Sequence, residues 1–293
     1  MKFSIVTVAL NPGKKLQETL DSVFCQTFTD YEIVIKDGGS TDGSMDRWRK
    51  NSHRAESLQE PEGQERGRKD VSGETGDQPR VCFIEKADFG IYDAMNQAVQ
   101  QAEGDFILFL NCGDMLADKT VLERVAKQIN RLNGQPPLIL YGDTVSAGTG
   151  ATIASPPKIT GFTCYRNIPC HQSCFYSRDL CREKPYDLQY KIRADYDHFL
   201  WCRYKASARF LYLNFPVSSY EGGGYSESRE NAARDRREHK LITREYMSGA
   251  ELFCYRATMA LTFMPLRRKM AGSRLFAGLY QRLKKILYGG RNT

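Results

Sequence analysis

A chain of 293 residues holds one large α/β domain with an appendage or two small domains, and 41% hydrophobic with 26% charged residues is ordinary for a soluble globular protein with a full core. The net charge is +7, much of it carried towards the C-terminus, which points to an acidic partner surface or a solvated face. Nucleic acid is set aside, because no aromatic residues interleave with a basic stripe in any recognisable module.

Phe3–Leu10 is a continuous β-rich apolar run, expected as a strand covered on both faces. Because the chain reads from Met1 straight into this strand, without an apolar leader region, a cytoplasmic location is expected. After Asn11-Pro12-Gly13, the spacing of Leu16, Leu20, Val23 and Phe24 predicts a helix. Tyr31–Ile35 is a second buried strand, ending in a Gly-rich turn, Lys36 to Gly43. Open α/β sheets bind ligands at such carboxyl ends.

Residues 51–80 break the pattern. Rich in Glu, Gln, Gly, Arg and Ser and poor in large apolar residues, they read as a mobile insertion. Order returns with a strand at Val81–Ile84, a helix over Gly90–Ala102, the most apolar strand at Asp105–Leu110, a helix over Val121–Leu132 and a strand at Leu138–Tyr141. This alternation is that of a nucleotide-binding α/β half. Beyond Gly142 the periodicity weakens. Short strands are expected near Ile153 and Gln172–Tyr176, a helix over Tyr196–Tyr204, a strand at Ala208–Leu213 and a charged helix over Glu230–Tyr255. Leu266–Leu287 mixes leucines with Arg and Lys in a basic amphipathic pattern. No run reaches the ~18 apolar residues of a spanning helix.

Nine cysteines without a secretion signal are expected as reduced thiols. The Cys164, Cys170, Cys174 and Cys181 cluster around His171 lacks the paired spacing of a structural zinc site.

Carboxylates follow or neighbour strand ends at Asp37 and Asp42, at Asp114 and at Asp195 and Asp197. Placed beside glycines, they suit hard-cation coordination and contacts to a nucleotide.

Several ordered motifs together carry a resemblance to a family. They are Ser4-Ile5-Val6-Thr7-Val8-Ala9-Leu10-Asn11, Tyr31 to Gly43, Asp88-Phe89-Gly90-Ile91-Tyr92-Asp93-Ala94-Met95-Asn96 and Gly104 to Asp114. Later pieces are Cys170-His171-Gln172-Ser173, Ala194-Asp195-Tyr196-Asp197 and Gly223-Gly224-Tyr225-Ser226. The chain resembles family 2 glycosyltransferases over Met1 to Ser226. The resemblance implies a GT-A-like (Rossmann-like) fold, a mixed-sheet α/β/α sandwich, over residues 1–230, with a helical basic C-terminal extension over 231–293.

It also implies inverting transfer of a sugar from a nucleotide-diphosphate donor, UDP-sugar favoured, to a hydroxyl of a glycan or polyprenyl-diphosphate-linked acceptor in surface polysaccharide biosynthesis. The base ring is expected near Thr7, Ala9, Asn11 and Asp37, and Asp114 holds a divalent metal, Mn²⁺ or Mg²⁺, on the diphosphate. Asp88 and Asn111 join the donor site. Asp93 and Asn96 bind the donor sugar or merely satisfy a helix start. His171 is a structural histidine or contacts acceptor or diphosphate. Asp195 aligns with the family's catalytic base, and Asp197 reads as a helix-surface neighbour. Gly223-Gly224 is a simple turn or a loop over the diphosphate.

Two departures stand out. Asn111 and Gly113 replace the earlier aspartates of the usual metal motif, and Asp37-Gly38-Gly39 replaces Asp-Asp-Gly. A non-catalytic nucleotide-sugar binder or scaffold of the same fold is therefore the alternative. The basic tail is a solvated helix or docks on an anionic membrane surface, peripheral on its inner face.

Overall fold

The computed structural model orders its elements as β1 (Phe3–Ala9), α1 (Lys15–Phe24), β2 (Tyr31–Asp37), α2 (Ser44–Asn51), β3 (Lys69–Val71), β4 (Arg80–Glu85), α3 (Ile91–Gln101) and β5 (Phe106–Phe109). There follow β6 (Met115–Leu116), α4 (Val121–Arg131), β7 (Leu138–Ser146), β8 (Thr152–Ile153), α5 (Gly161–Arg166), β9 (Cys174–Ser177) and α6 (Arg178–Glu183). The last are α7 (Ala194–Tyr204), β10 (Arg209–Tyr220), α8 (Ala232–Tyr246) and α9 (Gly249–Leu261). Residues 1–51, 69–71, 79–132, 137–220 and 231–261 are described. Most of 51–80, the Gly223 to Ser226 motif and the basic Leu266–Leu287 stretch lie outside the described residues. The chain divides into two compact units, Met1–Ile242 and Thr243–Thr293.

One mixed sheet runs β3-β4-β2-β1-β5-β9-β7-β10-β6, with β8 paired to β7. Its first half is parallel: β1 pairs β2 from Phe3↔Tyr31 to Ala9↔Asp37, β2 pairs β4, and β1 pairs β5 on the other side. All seven residues of β1 and of β2 are buried, as strands covered on both faces must be. Helix α1 buries Leu16, Leu20 and Val23, one stripe spaced at about a helical turn. Helix α3 buries Ala94, Met95, Ala98 and Val99. The chain thus leaves β1 and β2, with β5 beside them, at one edge of the sheet, and every loop that follows these strands opens there.

Several elements differ from the sequence expectation. Strand β10 continues beyond Leu213 to Tyr220, absorbing Pro216 through register shifts against β7 at Asn214 (φ 57°) and beyond. Proline in a strand is tolerated at such irregularities, so it does not end the strand. The single helix expected over Glu230–Tyr255 is two, because Ser248 and Glu251 start a new one. The Ser248 N–H donates to Glu251 Oε2 at 2.9 Å and the Glu251 N–H to Ser248 Oγ at 3.2 Å, a reciprocal cap. Within the segment expected as an insertion, Lys69–Val71 pairs antiparallel with β4. Helix α2 was not foreseen; its Trp48 stacks on Phe83 at 6.2 Å.

Candidate active site

Two clusters form at the carboxyl edge of β1, β2 and β5. The first is built on the turn after β2. Asn11, in the left-handed region at φ 50°, accepts the Thr41 N–H at 2.8 Å and the Asp42 N–H at 3.2 Å on Oδ1. Its own N–H donates to Ser40 Oγ. Asp42 receives the Gly13 N–H at 2.9 Å, so the loops after β1 and β2 are laced together. Asp37, 3% exposed, accepts the Ser40 N–H at 3.1 Å and the Ser40 hydroxyl at 2.6 Å.

Beneath this turn lies Lys36, wholly buried. Its ammonium donates to Asp37 O at 3.0 Å, Lys86 O at 2.6 Å and Asp88 Oδ2 at 2.8 Å, so all three of its protons are used. The other oxygen of Asp88 accepts the Gly90 N–H at 3.0 Å. A Cβ at Gly38 would stand 2.7 Å from Asp88 Oδ2, which explains why a glycine, rather than a second aspartate, follows Asp37.

The second cluster joins β5 to α7. Asp195 sits in the first turn of α7, where the helix dipole favours a carboxylate. Its Oδ1 accepts the Tyr92 hydroxyl at 3.0 Å, and Oδ2 faces His171 Nδ1 at 3.6 Å. The other ring nitrogen of His171 lies 3.3 Å from the Asn111 amide nitrogen, at the end of β5. Asn111 O accepts the Asp114 N–H, closing the turn that carries Gly113 at φ 99°. Asp195, His171 and Asn111 therefore form one polar chain from α7 to the turn of Asp114.

Electrostatics follows from this arrangement. Burial resists charge on both His171 and Asp195, but their mutual attraction outweighs it. The His171 pKa is raised above 6.5, with Asp114 adding a smaller push, and that of Asp195 is lowered below 3.8, helped by the Tyr92 bond. Burial first, then the Asp195 charge, pushes the Tyr92 hydroxyl well above 10. Cys112 lies between the clusters: burial, then the charges of Asp114 and Asp37, raise its thiol to about 12.

The remaining candidates fall elsewhere. Thr7 is buried and its hydroxyl donates to Leu110 O at 2.9 Å, while Ala9 ends β1 and lines a cavity. Asp93 accepts from the Phe89 N–H at 2.9 Å and from Gln97, which satisfies the first turn of α3. Asn96 exchanges two hydrogen bonds with the backbone of Tyr186. Asp197 is not on the helix surface: it is 2% exposed and pairs with Lys184 at 3.0 Å. Tyr92 and Lys36 were not singled out by sequence. Both stand inside quoted motifs, but an apolar ring or a lysine in a strand carries no mark of its hydrogen bonds.

A cavity of about 670 Å³ opens beside these groups, lined by Ala9, Asp88, Tyr92 and Asp93 and by Lys191 and Arg234. Leu10, Phe89 and Ile91, three of the exposed large apolar side chains, also line it.

Comparison with known proteins follows the same lines. The model of glycosyl transferase family 2 matches residues 4–206. A PGL/p-HBAD biosynthesis glycosyltransferase of Mycobacterium bovis, also present in Mycobacterium tuberculosis, is 33% identical over 228 residues, 77% of this chain and 79% of that protein. Among solved structures, Staphylococcus aureus TarS 1-349 in complex with UDP-GlcNAc shares the fold at TM-score 0.60 and 18% identity, over 94% of this chain and 74% of that one. The chain spans 44% of the longer TarS structure, at TM-score 0.61. The mannosyltransferase PcManGT from Pyrobaculum calidifontis, in complex with GDP-Man and Mn²⁺, matches at TM-score 0.59 and 13% identity, over 99% and 88% of the two chains. The fold is thus the GT-A type expected.

Proposed function

The chain belongs to glycosyl transferase family 2 and is a glycosyltransferase, and from that premise we propose an inverting transfer from a UDP-sugar to a hydroxyl of a glycan or lipid-linked acceptor. The observation that carries the proposal is the polar chain Asp195–His171–Asn111, which puts a carboxylate ionised at neutral pH beside the turn suited to a diphosphate. Asp195 takes the proton of the acceptor hydroxyl as its oxygen bonds to the anomeric carbon. The bond from that carbon to the donor diphosphate breaks, and the electron pair leaves with the nucleotide diphosphate. One displacement inverts the configuration. Tyr92 and His171 hold the two carboxylate oxygens of Asp195, so the base is oriented before the acceptor arrives.

The residues present fit a divalent cation. Asn111 Oδ1 is buried without a hydrogen-bond partner, and Asp114 stands three residues on, 8% exposed. One carboxylate and one amide oxygen, completed by donor phosphates and water, suit Mg²⁺ or Mn²⁺. When bound, the ion would neutralise the charge that develops on the leaving diphosphate. The turn of Asn11 and Asp37 would receive the nucleotide base.

The acceptor side of the proposal rests on the apolar wall of the cavity and on relatives named for PGL/p-HBAD biosynthesis and, for TarS, as a poly(ribitol-phosphate) beta-N-acetylglucosaminyltransferase. Among the described residues no helix is long and apolar enough to cross a membrane. Peripheral contact through the basic Leu266–Leu287 stretch of the sequence belongs to the same proposal.

Calorimetric titration of UDP, GDP, dTDP and CDP, with and without Mn²⁺, into the protein and its Asp114→Ala variant tests the reading. UDP should bind in a metal-dependent manner, and the variant should lose at least tenfold in affinity, about 1.4 kcal/mol. Tight binding of another diphosphate would move the donor class. No binding by any of them would defeat the proposal.

A further inference from the structure

Glu238, 5% exposed on α8, has a carboxylate surrounded by backbone amides. Its Oε1 accepts the Lys191 N–H at 3.0 Å, and Oε2 accepts those of Ile192 at 3.0 Å and Arg193 at 2.9 Å. One turn earlier, Asp235 takes the Arg193 guanidinium on both oxygens, at 2.7 and 3.1 Å. Five hydrogen bonds thus join one face of α8 to three consecutive residues.

Those residues lead directly into α7 and Asp195. The carbonyl of Ile192 also accepts the Tyr92 hydroxyl at 2.6 Å, the same hydroxyl that reaches Asp195. A buried carboxylate carries a large desolvation cost unless it is fully hydrogen-bonded, and here three backbone amides supply the compensation. Such a group fixes the backbone it binds, because shifting the turn would leave the carboxylate without partners. Asp235 and Glu238 lie beyond residues 4–206, the stretch matched by the family. The first turns of α8 nevertheless belong to the same compact unit as the site, Met1–Ile242.

We propose that Glu238 and Asp235 are positioning residues for the base: through the 191–193 turn they aim Asp195 and the Tyr92 hydroxyl at the acceptor. The inference rests on Asp195 acting as the base. Because misplacement of a reacting group by about 1 Å costs ~10²-fold, Glu238→Gln should lower kcat roughly 10–100-fold, since its NH₂ would replace one of the two accepting oxygens and oppose the N–H of Lys191, or those of Ile192 and Arg193. Asp235→Asn, which leaves Glu238 in place, should lower kcat about 3–10-fold and serves if the first variant does not fold.

The experiment measures UDP release from a panel of UDP-sugars, with octyl glycosides as acceptors, together with UDP affinity and amide hydrogen exchange over residues 191–195. The expected result is a loss in kcat with donor KM and UDP affinity within about twofold of wild type, and no further loss when Glu238→Gln is added to Asp195→Asn. A kcat within twofold of wild type, or an equal fold-loss in the Asp195→Asn background, would overturn the inference. If the wild type turns over no donor, the proposed function itself falls. Hydrogen exchange then still decides the structural step: faster exchange at 191–195 in the variant supports it, and unchanged exchange overturns it.

Discussion

Replacing Lys36 by Met is the sharpest test of how the turn after β2 is held. The methionine keeps the length and apolar stem of the lysine but removes an ammonium that is fully buried and bonded to Asp37 O, Lys86 O and Asp88 Oδ2. What remains is a carboxylate, 11% exposed, with its cation gone, and two carbonyls that lose a donor. Removing one partner of a buried ion pair costs about 3–5 kcal/mol, because the other charge is left uncompensated. For a unit of this size each kcal/mol moves Tm by about 2–4 °C, so a drop of roughly 6–20 °C is expected. Adding Asp88→Asn should return at least half of the loss, since the orphaned charge is then removed. Denaturant unfolding of wild type, single and double variants measures both numbers. A single variant within about 0.5 kcal/mol of wild type would show that the Lys36–Asp88 pair does not hold the turn, as would a double variant less stable than the single one.

Two further predictions concern the base. The raised pKa of His171 means that its pairing with Asp195 stabilises the fold fully below pH 6.5 and loses that contribution as pH rises through the folded value. Asp195, depressed below 3.8, remains ionised across this window, so His171→Gln should cost more stability at pH 6 than at pH 9 when unfolding midpoints are compared. An equal cost at both would contradict the pairing. Tyr92→Phe removes the hydroxyl bonded to Asp195 and Ile192 O; transfer should fall about tenfold at pH 7 with UDP affinity unchanged, as read from initial rates and calorimetry.

Much of the parallel half of the sheet was legible, because Phe3–Leu10, Tyr31–Ile35 and Asp105–Leu110 are β-rich, mostly apolar runs that lead into glycine-bearing turns. Asp37 and Asp114 were legible because they stand at or just beyond the ends of β2 and β5, whereas Asp195 opens a helix. Their partners were not. Lys36 sits in a strand between Ile35 and Asp37, and only the fold shows that Asp88, far along the chain, reaches it. Tyr92 meets Asp195 across 103 residues, a separation that no periodicity encodes. Asp93 and Asn96 were read either as sugar contacts or as supports of the helix start, and only the fold shows that they bond to Phe89 N–H and to the backbone of Tyr186. Glu238 looked like one charge among many on a polar helix, and its burial depends on the turn at 191–193.

Whether Asp195 is the base of a sugar transfer is decided by measuring UDP release and UDP affinity side by side in wild type and Asp195→Asn. With Asp195 as the base, turnover falls by about 10²–10⁴-fold in the variant while affinity stays within about twofold. Turnover surviving within tenfold of wild type would contradict that role, because a proton acceptor elsewhere would then be carrying the reaction.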